Sequence, residues 1–367
     1  MKDLREYQYK SPGNPDKICE QITENIITDI SLNVDNNFKS DIHTIVNNQV
    51  SVVAGKIYCG NYRPDTEKIV KEVSEKLGYT GKLRRFSSET VRHINLIEFV
   101  DDVKRFPESS FVTSYGYSSD ETIEGLPMGY IISREITHNV LDLDFVGLDV
   151  TTSVTIEYQG HLPTKITSIN IEYSLIDFDE DPKELLHDCE ILFNGKCDKY
   201  VNMLDKNTKI NTSCFGLGGP DVRVGSLSGT IIPTHFGNVG LYDFLGKETI
   251  GVHRLSSLLA RQGAKTISKT NMCNECLIKV SYGLENEPIR FSAKFNKVLG
   301  DRNFMESNLQ DIFHFNKDEL VNNFTPSELN RTIDNTNEYF GQQYLDVTDK
   351  GILPWERLDK IIEFTPF

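Results

Sequence analysis

The sequence predicts an α+β protein, one in which helices pack on hairpin-built sheets instead of alternating with parallel strands. Three observations carry this expectation. Isoleucines at 18, 22, 26 and 30 recur every four residues and put one apolar stripe along a helix. Val154, Ile156 and Tyr158, then Ile169, Ile171 and Tyr173, alternate with polar residues on either side of Gln159 to Pro163, as in an antiparallel hairpin with one buried face. A second helical stretch runs from Gly251 to Ala264 with Leu258 and Leu259 turned inward.

The elements follow in order. Asn14 suits the N-cap of the first helix and Pro15 its first turn, where a missing N–H costs nothing. Ile42 to Ile57, rich in Val and Ile with Gly55 near its end, reads as a buried strand or one arm of a bent hairpin. Asp65 caps a second helix with Ile69, Val70, Val73 and Leu77 on one face, stopped by Gly78. After the 154–173 hairpin, Pro182 opens a helix through Leu185, Leu186 and Ile191, and the glycine-rich stretch 216–240 reads as loop. Leu277 to Tyr282 reads as a strand following Cys273-Asn-Glu-Cys276.

The bulk properties narrow the function. The 367 residues suffice for two or three domains, each with its own core. A formal charge of −15 repels nucleic acid and anionic membrane surfaces, yet a few cations converging locally still allow a nucleotide. The first residues lack the apolar run of a signal peptide, and no stretch of about 18 apolar residues is present to span a bilayer, so the cytoplasm is the expected location. Seven irregularly spaced cysteines suit reduced thiols, and one CxxC without a second pair suits buried thiols better than zinc or redox chemistry.

The segment Ser11-Pro-Gly-Asn-Pro-Asp-Lys-Ile-Cys-Glu-Gln-Ile22 resembles the Gly-His-Pro-Asp-Lys motif of the S-adenosylmethionine synthetases, with Asn14 in place of the histidine. Further matches follow in family order: Tyr115-Gly-Tyr-Ser-Ser-Asp-Glu-Thr122 with Gly125-Leu-Pro-Met128, Leu148-Asp149 before Ser153-Val-Thr155, and Phe215-Gly-Leu-Gly-Gly-Pro220. Phe244-Leu-Gly-Lys-Glu248 leads to Val252, Arg254 and Ala260-Arg261, and Val280-Ser-Tyr282, Glu287-Pro288 and Pro354-Trp355-Glu356 complete the series. The resemblance thus runs from residue 11 to residue 356.

It implies three similar α+β domains about a pseudo-threefold, here 1–106, 107–218 and 219–367, assembled as a homodimer or dimer of dimers with sites between subunits. It also implies a reaction: methionine sulfur attacks C5′ of ATP and expels triphosphate, with magnesium and a potassium ion as cofactors. By the same resemblance Phe215 stacks on adenine, Asp149 contacts the ribose, Asp16 is a catalytic residue and metal ligand, and Lys247 is a catalytic, triphosphate-binding lysine. Asn14 and Lys17 belong to a helix start whose free N–H groups favour phosphate.

Other positions depart from the family pattern. Thr151 and Gly251 stand for lysines, Cys214 for an arginine, and His43, Ser110 and His253 for acidic residues. Both basic residues of a downstream Gly-Arg-Lys are absent from Asp221 to Thr230. Arg223, His235, His253, Arg254, Lys265 and Lys269 are the cations available to compensate. The sequence leaves three readings: a divergent methionine adenosyltransferase, an impaired or regulatory subunit that pairs with an intact synthetase, or a biosynthetic enzyme re-using the fold.

Overall fold

The computed structural model describes residues 3–34, 37–82, 84–105, 111–177, 186–241, 243–283, 290–299, 301–316, 319–325, 329, 338–341 and 353–364. Three sheet-and-helix units make up the α+β fold, and the chain weaves between them. In the first, strands β2 (Lys39–Asn47) and β3 (Val50–Tyr58) form a hairpin around Asn48, which adopts the positive φ its turn needs. β4 (Arg92–Val100) runs parallel to β3, and the two-residue β9 (Gly225–Ser226) closes the other edge. Helices α1 (Pro15–Asn33) and α2 (Thr66–Lys76) cover one face, with Asn14 and Asp65 as caps.

The second unit has the order β1-β6-β7-β8, from Asp3–Lys10, Val146–Gln159, Leu162–Leu175 and Lys209–Cys214. Its centre is the expected hairpin, turned at Gly160, with α3 (Met128–Leu141) packed on it. In the third unit β5 (Val112–Ser119), β12 (Glu275–Tyr282) and β13 (Arg290–Asn296) lie under α5 (Val252–Lys269). The first unit has its own core around the α1 isoleucines, whereas the other two share one continuous core. The sheets are assembled across the proposed segments 1–106, 107–218 and 219–367: β1 joins the second sheet, β5 the third, and β9 the first.

Two expectations change in detail. Residues 216–240 are not all loop, since β10 (Thr230–Thr234) and β11 (Gly237–Leu241) form a short hairpin built on Thr230-Ile-Ile232. The helix expected from Pro182 is described only from Leu186 onward, where a single turn, α4 (Cys189–Leu192), is present. Pro107, Ser110, Pro182, Leu185, Glu287 and Pro288 lie outside the described residues. Trp355 is fully buried, stacked on Tyr339, and donates its indole N–H to the Tyr339 carbonyl at 2.6 Å. Cys273 and Cys276 are buried free thiols, and burial pushes the Cys273 thiol up to about 12.

A polar seam joins the second and third units. Glu121 accepts from the Met128 N–H at 2.8 Å and the Tyr158 hydroxyl at 3.0 Å, and Tyr158 in turn meets the Tyr7 hydroxyl at 2.9 Å. Burial pushes the Glu121 carboxyl up to about 7 against those hydrogen bonds. A carboxyl raised in the folded state favours folding fully only below its unfolded value, and that contribution is lost as pH climbs through 7. Glu121→Gln is therefore expected to remove about 3 kcal/mol of the fall in stability between roughly pH 4.5 and 7. Urea unfolding across that range checks it, and parallel curves for the two proteins would refute it.

Candidate functional site

The site begins where the chain passes from β1 into α1. Ser11 stitches this turn to β6: its hydroxyl donates to the Leu148 carbonyl at 2.8 Å and accepts from the Val150 N–H at 2.9 Å. Gly13 has to be glycine, because a Cβ there would lie 2.4 Å from the Leu148 carbonyl oxygen. Asn14 then uses both ends of its amide. Its oxygen caps α1 by accepting from the Asp16 N–H at 3.1 Å, and its nitrogen donates to Asp149 at 3.0 Å and to the Thr151 hydroxyl at 3.3 Å.

Asp149 is 0 % exposed, and hydrogen bonds hold both its side chain and its backbone. One carboxylate oxygen accepts from Asn14 and from the Arg223 guanidinium at 2.7 Å, the other from the Gly219 N–H at 2.9 Å, while the Asp149 N–H donates to Ser174 at 3.0 Å. Burial raises its pKa, and Arg223 leads the groups that oppose the rise. Gly219 sits at φ 69°, a conformation that favours glycine, and a Cβ on it would meet the Tyr79 hydroxyl at 2.4 Å. Arg223 also donates to Glu172 at 3.0 Å and lies over the Phe215 ring, 4.3 Å from its centroid. Its Nε is buried with no partner among the described residues.

Two cavities adjoin this hub. One of about 200 Å³ is lined by Asn14, Asp16, Thr151, Glu172 and Arg223. The other, about 190 Å³, is lined by Lys17, Tyr130 and Ser228-Gly-Thr230. Gln8 and Lys10 border both. Lys10 pairs with Asp16 at 2.5 Å, and the remaining Asp16 oxygen accepts from the Ser226 N–H at 2.9 Å. Burial works against the Asp16 charge, but Lys10 and Ser226 hold the carboxyl below its usual range. Lys17 pairs with Glu20 at 2.7 Å.

The structure thus brings Asn14, Asp16, Lys17, Asp149 and Phe215 together. Lys247 stands apart, bonded to Asp41 on β2 at 2.6 Å. Asp41 is four residues along β2 from Ile45, which pairs with Ser226, so about 13 Å of strand separates the two places.

Of the cations expected to compensate, only Arg223 reaches the site. Arg254 is buried in a fork on Glu24 at 2.8 and 3.1 Å, and Lys265 is buried on Glu356 at 2.6 Å. Lys269 donates to the Ser119 and Thr122 carbonyls, and His253 lies beside Asp243. Arg254, Lys265 and Lys269 are thereby committed to holding the fold together.

Lys10, Gln8 and Glu172 were not foreseen. Lys10 directly precedes the Ser11 motif and alternates with buried Tyr9, and Glu172 alternates with Ile171 and Tyr173, so strand parity put all three on accessible faces. The donor set does not fit a divalent ion at Asp16. Both of its oxygens are engaged, and among the described residues no three His, Cys, Asp or Glu side chains are arranged to hold a metal.

Comparison with known proteins places these observations. Residues 8–100 match the family model for the S-adenosylmethionine synthetase N-terminal domain, and residues 217–357 that for the C-terminal domain. The S-adenosylmethionine synthase of Clostridium botulinum is 26 % identical over 409 aligned positions, covering 100 % of both chains. That of Mesoplasma florum is 25 % identical over 98 % of this chain and 99 % of its own, and that of Sorangium cellulosum 27 % identical over 77 % and 72 %.

Replacing Asn14 by Ala removes a helix cap and strips donors from two buried acceptors. The expected loss is about 2–3 kcal/mol of stability by chemical denaturation. A change under about 0.5 kcal/mol would show that the amide does not hold this hub.

Proposed function

The chain belongs to the S-adenosylmethionine synthetase family as a divergent member, and on that premise we propose that it is a methionine adenosyltransferase-like enzyme. In this reading it seats the adenosine of ATP against Phe215 and Asp149 and transfers the adenosyl group to the sulfur of methionine or a close analogue. The observation that carries the reading is the convergence of Asn14, from the start of α1, and of Gly219 and Arg223, from the turn after β8, on the buried Asp149 carboxylate beside an open cavity.

The chemistry asks for an in-line approach. A sulfur lone pair forms a bond to C5′ as the C5′–O5′ bond breaks, and that electron pair leaves on the triphosphate, making a sulfonium product. Asp149, fixed by three donors to its oxygens, supplies a rigid reference for the ribose. Arg223 covers the Phe215 ring, so the adenine would displace it toward the phosphates. Lys10, Lys17 and Arg223 are the cations at hand, and each would exchange a carboxylate partner for phosphate oxygen. A charge-assisted bond of this kind contributes about 1.5–3 kcal/mol. The family generally works with magnesium and potassium.

A second reading, a catalytically impaired subunit paired with an intact synthetase, is favoured by one observation: neutral residues, Thr151, Cys214 and Gly251, stand where the resemblance places bases. Release of phosphate and diphosphate from ATP and methionine by the purified chain alone would decide for the first reading.

Self-association has a candidate surface. The outer face of the first sheet carries cross-strand rows Ile45-Val52-Ile94 and His43-Ala54-Leu96, bounded by the charged row Asp41-Lys56-Glu98. Ile45, Ile94 and Leu96 are 47, 44 and 61 % exposed. A flat apolar centre with a polar rim suits an isologous contact.

Calorimetry with adenosine and ATP is expected to show saturable binding that Phe215→Ala weakens by about 1–3 kcal/mol, the range for base–aromatic stacking. No uptake by folded wild-type protein would sink the proposal. Light scattering is expected to show a dimer that Ile45→Lys with Leu96→Lys splits into monomers, and a dimer untouched by that pair would place the interface elsewhere.

A further inference from the structure

We propose that the Lys10 ammonium is a resident cation that takes the place of a divalent ion at the Asp16 carboxylate, so that phosphate bound at the head of α1 is neutralised by side chains. The phosphate half of this claim rests on the proposed function; the exchange of ion for ammonium does not.

Lys10 is the last residue of β1, held in register opposite Thr151, so its side chain leaves a paired strand and not a loop. The Nζ lies 2.5 Å from one Asp16 oxygen, and the Ser226 N–H takes the other at 2.9 Å. Each Asp16 oxygen thus already carries a donor, one of them a full positive charge. A divalent cation placed there would face an ammonium at bonding distance with one carboxylate for compensation, next to the positive end of α1. The nearby carboxylates each face a cation already: Asp149 meets Arg223 along with Asn14 and Gly219, Glu172 meets Arg223, and Glu20 meets Lys17 through one oxygen, its other being buried without a partner among the described residues. Position favours the substitution too, since Lys10 borders both cavities and can turn from Asp16 toward a phosphate in either.

The test uses Mn²⁺ alone, with no nucleotide, on the full chain. Electron paramagnetic resonance follows free Mn²⁺ against wild type, Lys10→Arg, Lys10→Met, Asp16→Asn and Lys10→Met with Asp16→Asn, each checked for folding by circular dichroism. Wild type and Lys10→Arg are expected to leave the signal unchanged, Lys10→Met to gain one site at least about tenfold tighter, and the double variant to lose it. A wild-type site that Asp16→Asn abolishes, or a Lys10→Met protein still blind to Mn²⁺, overturns the proposal.

A second arm measures tripolyphosphate by calorimetry in EDTA and in Mg²⁺. Affinity is expected to agree within about threefold between the two and to fall at least about tenfold in Lys10→Met in EDTA. Tenfold tighter binding in Mg²⁺ counts against the claim. Absence of any tripolyphosphate binding overturns the phosphate half and the proposed function together, while the Mn²⁺ arm still decides whether Lys10 holds the ion's place.

Discussion

A charge with no exposure persists in a folded protein only where donors meet it, and Asp149 is such a charge. The need to satisfy it fixes the local geometry of two segments that are far apart in sequence, the start of α1 and the turn between β8 and β9. Asn14 reaches it from the start of α1, Gly219 from the turn after β8, and Arg223 from the approach to β9. Removing the carboxylate would leave the Asn14 amide and the Arg223 guanidinium each short of one partner, while the α1 cap and the Arg223–Glu172 pair remain.

The same constraint explains why the neighbouring residues are so restricted. Gly13 and Gly219 are places where backbone must pass within contact of Leu148 and Tyr79, and Tyr79 closes the loop by donating to the Gly13 carbonyl at 2.6 Å. Elsewhere the cations of α5 serve architecture. Arg261 donates to the Tyr117, Gly125 and Glu124 carbonyls and to Glu356, tying β5 and the loop before α3 to the Pro354 turn. Such groups are committed before any ligand arrives. In a chain of net charge −15, the positive charge bordering these cavities comes, among the described residues, from Lys10, Lys17 and Arg223.

Local signals in the sequence were readable because their physics is local. The Asn14 cap, the isoleucine stripe, the Asp65 cap and the hairpin turned at Gly160 all depend on neighbours within a few residues, and each stands in the structure. The pairing of β1 with β6, of β5 with β12 and of β9 with β2 was not readable, since register between distant strands is set by tertiary packing. The site divided along the same line. Asn14, Asp16, Lys17, Asp149 and Phe215 were legible as motif residues, whereas Lys10 and Glu172 became visible only when β1 and β7 took their places beside β6. Arg223 was one of six candidate cations in sequence, and folding alone singled it out.

The departures from the family pattern have a common electrostatic logic. The resemblance places basic residues where Thr151, Cys214 and Gly251 stand, and acidic ones where His43 and His253 stand. Loss of the bases alone would leave metal-binding carboxylates crowded and repelling one another. Loss of the acids alone would leave lysines and arginines without counter-charges. Losing both kinds together spares the fold the extreme of either, though with the Gly-Arg-Lys bases also gone more bases than acids are lost. Within that thinned arrangement Asp16 keeps its charge because Lys10 answers it, and Asp149 keeps its charge because Arg223 does.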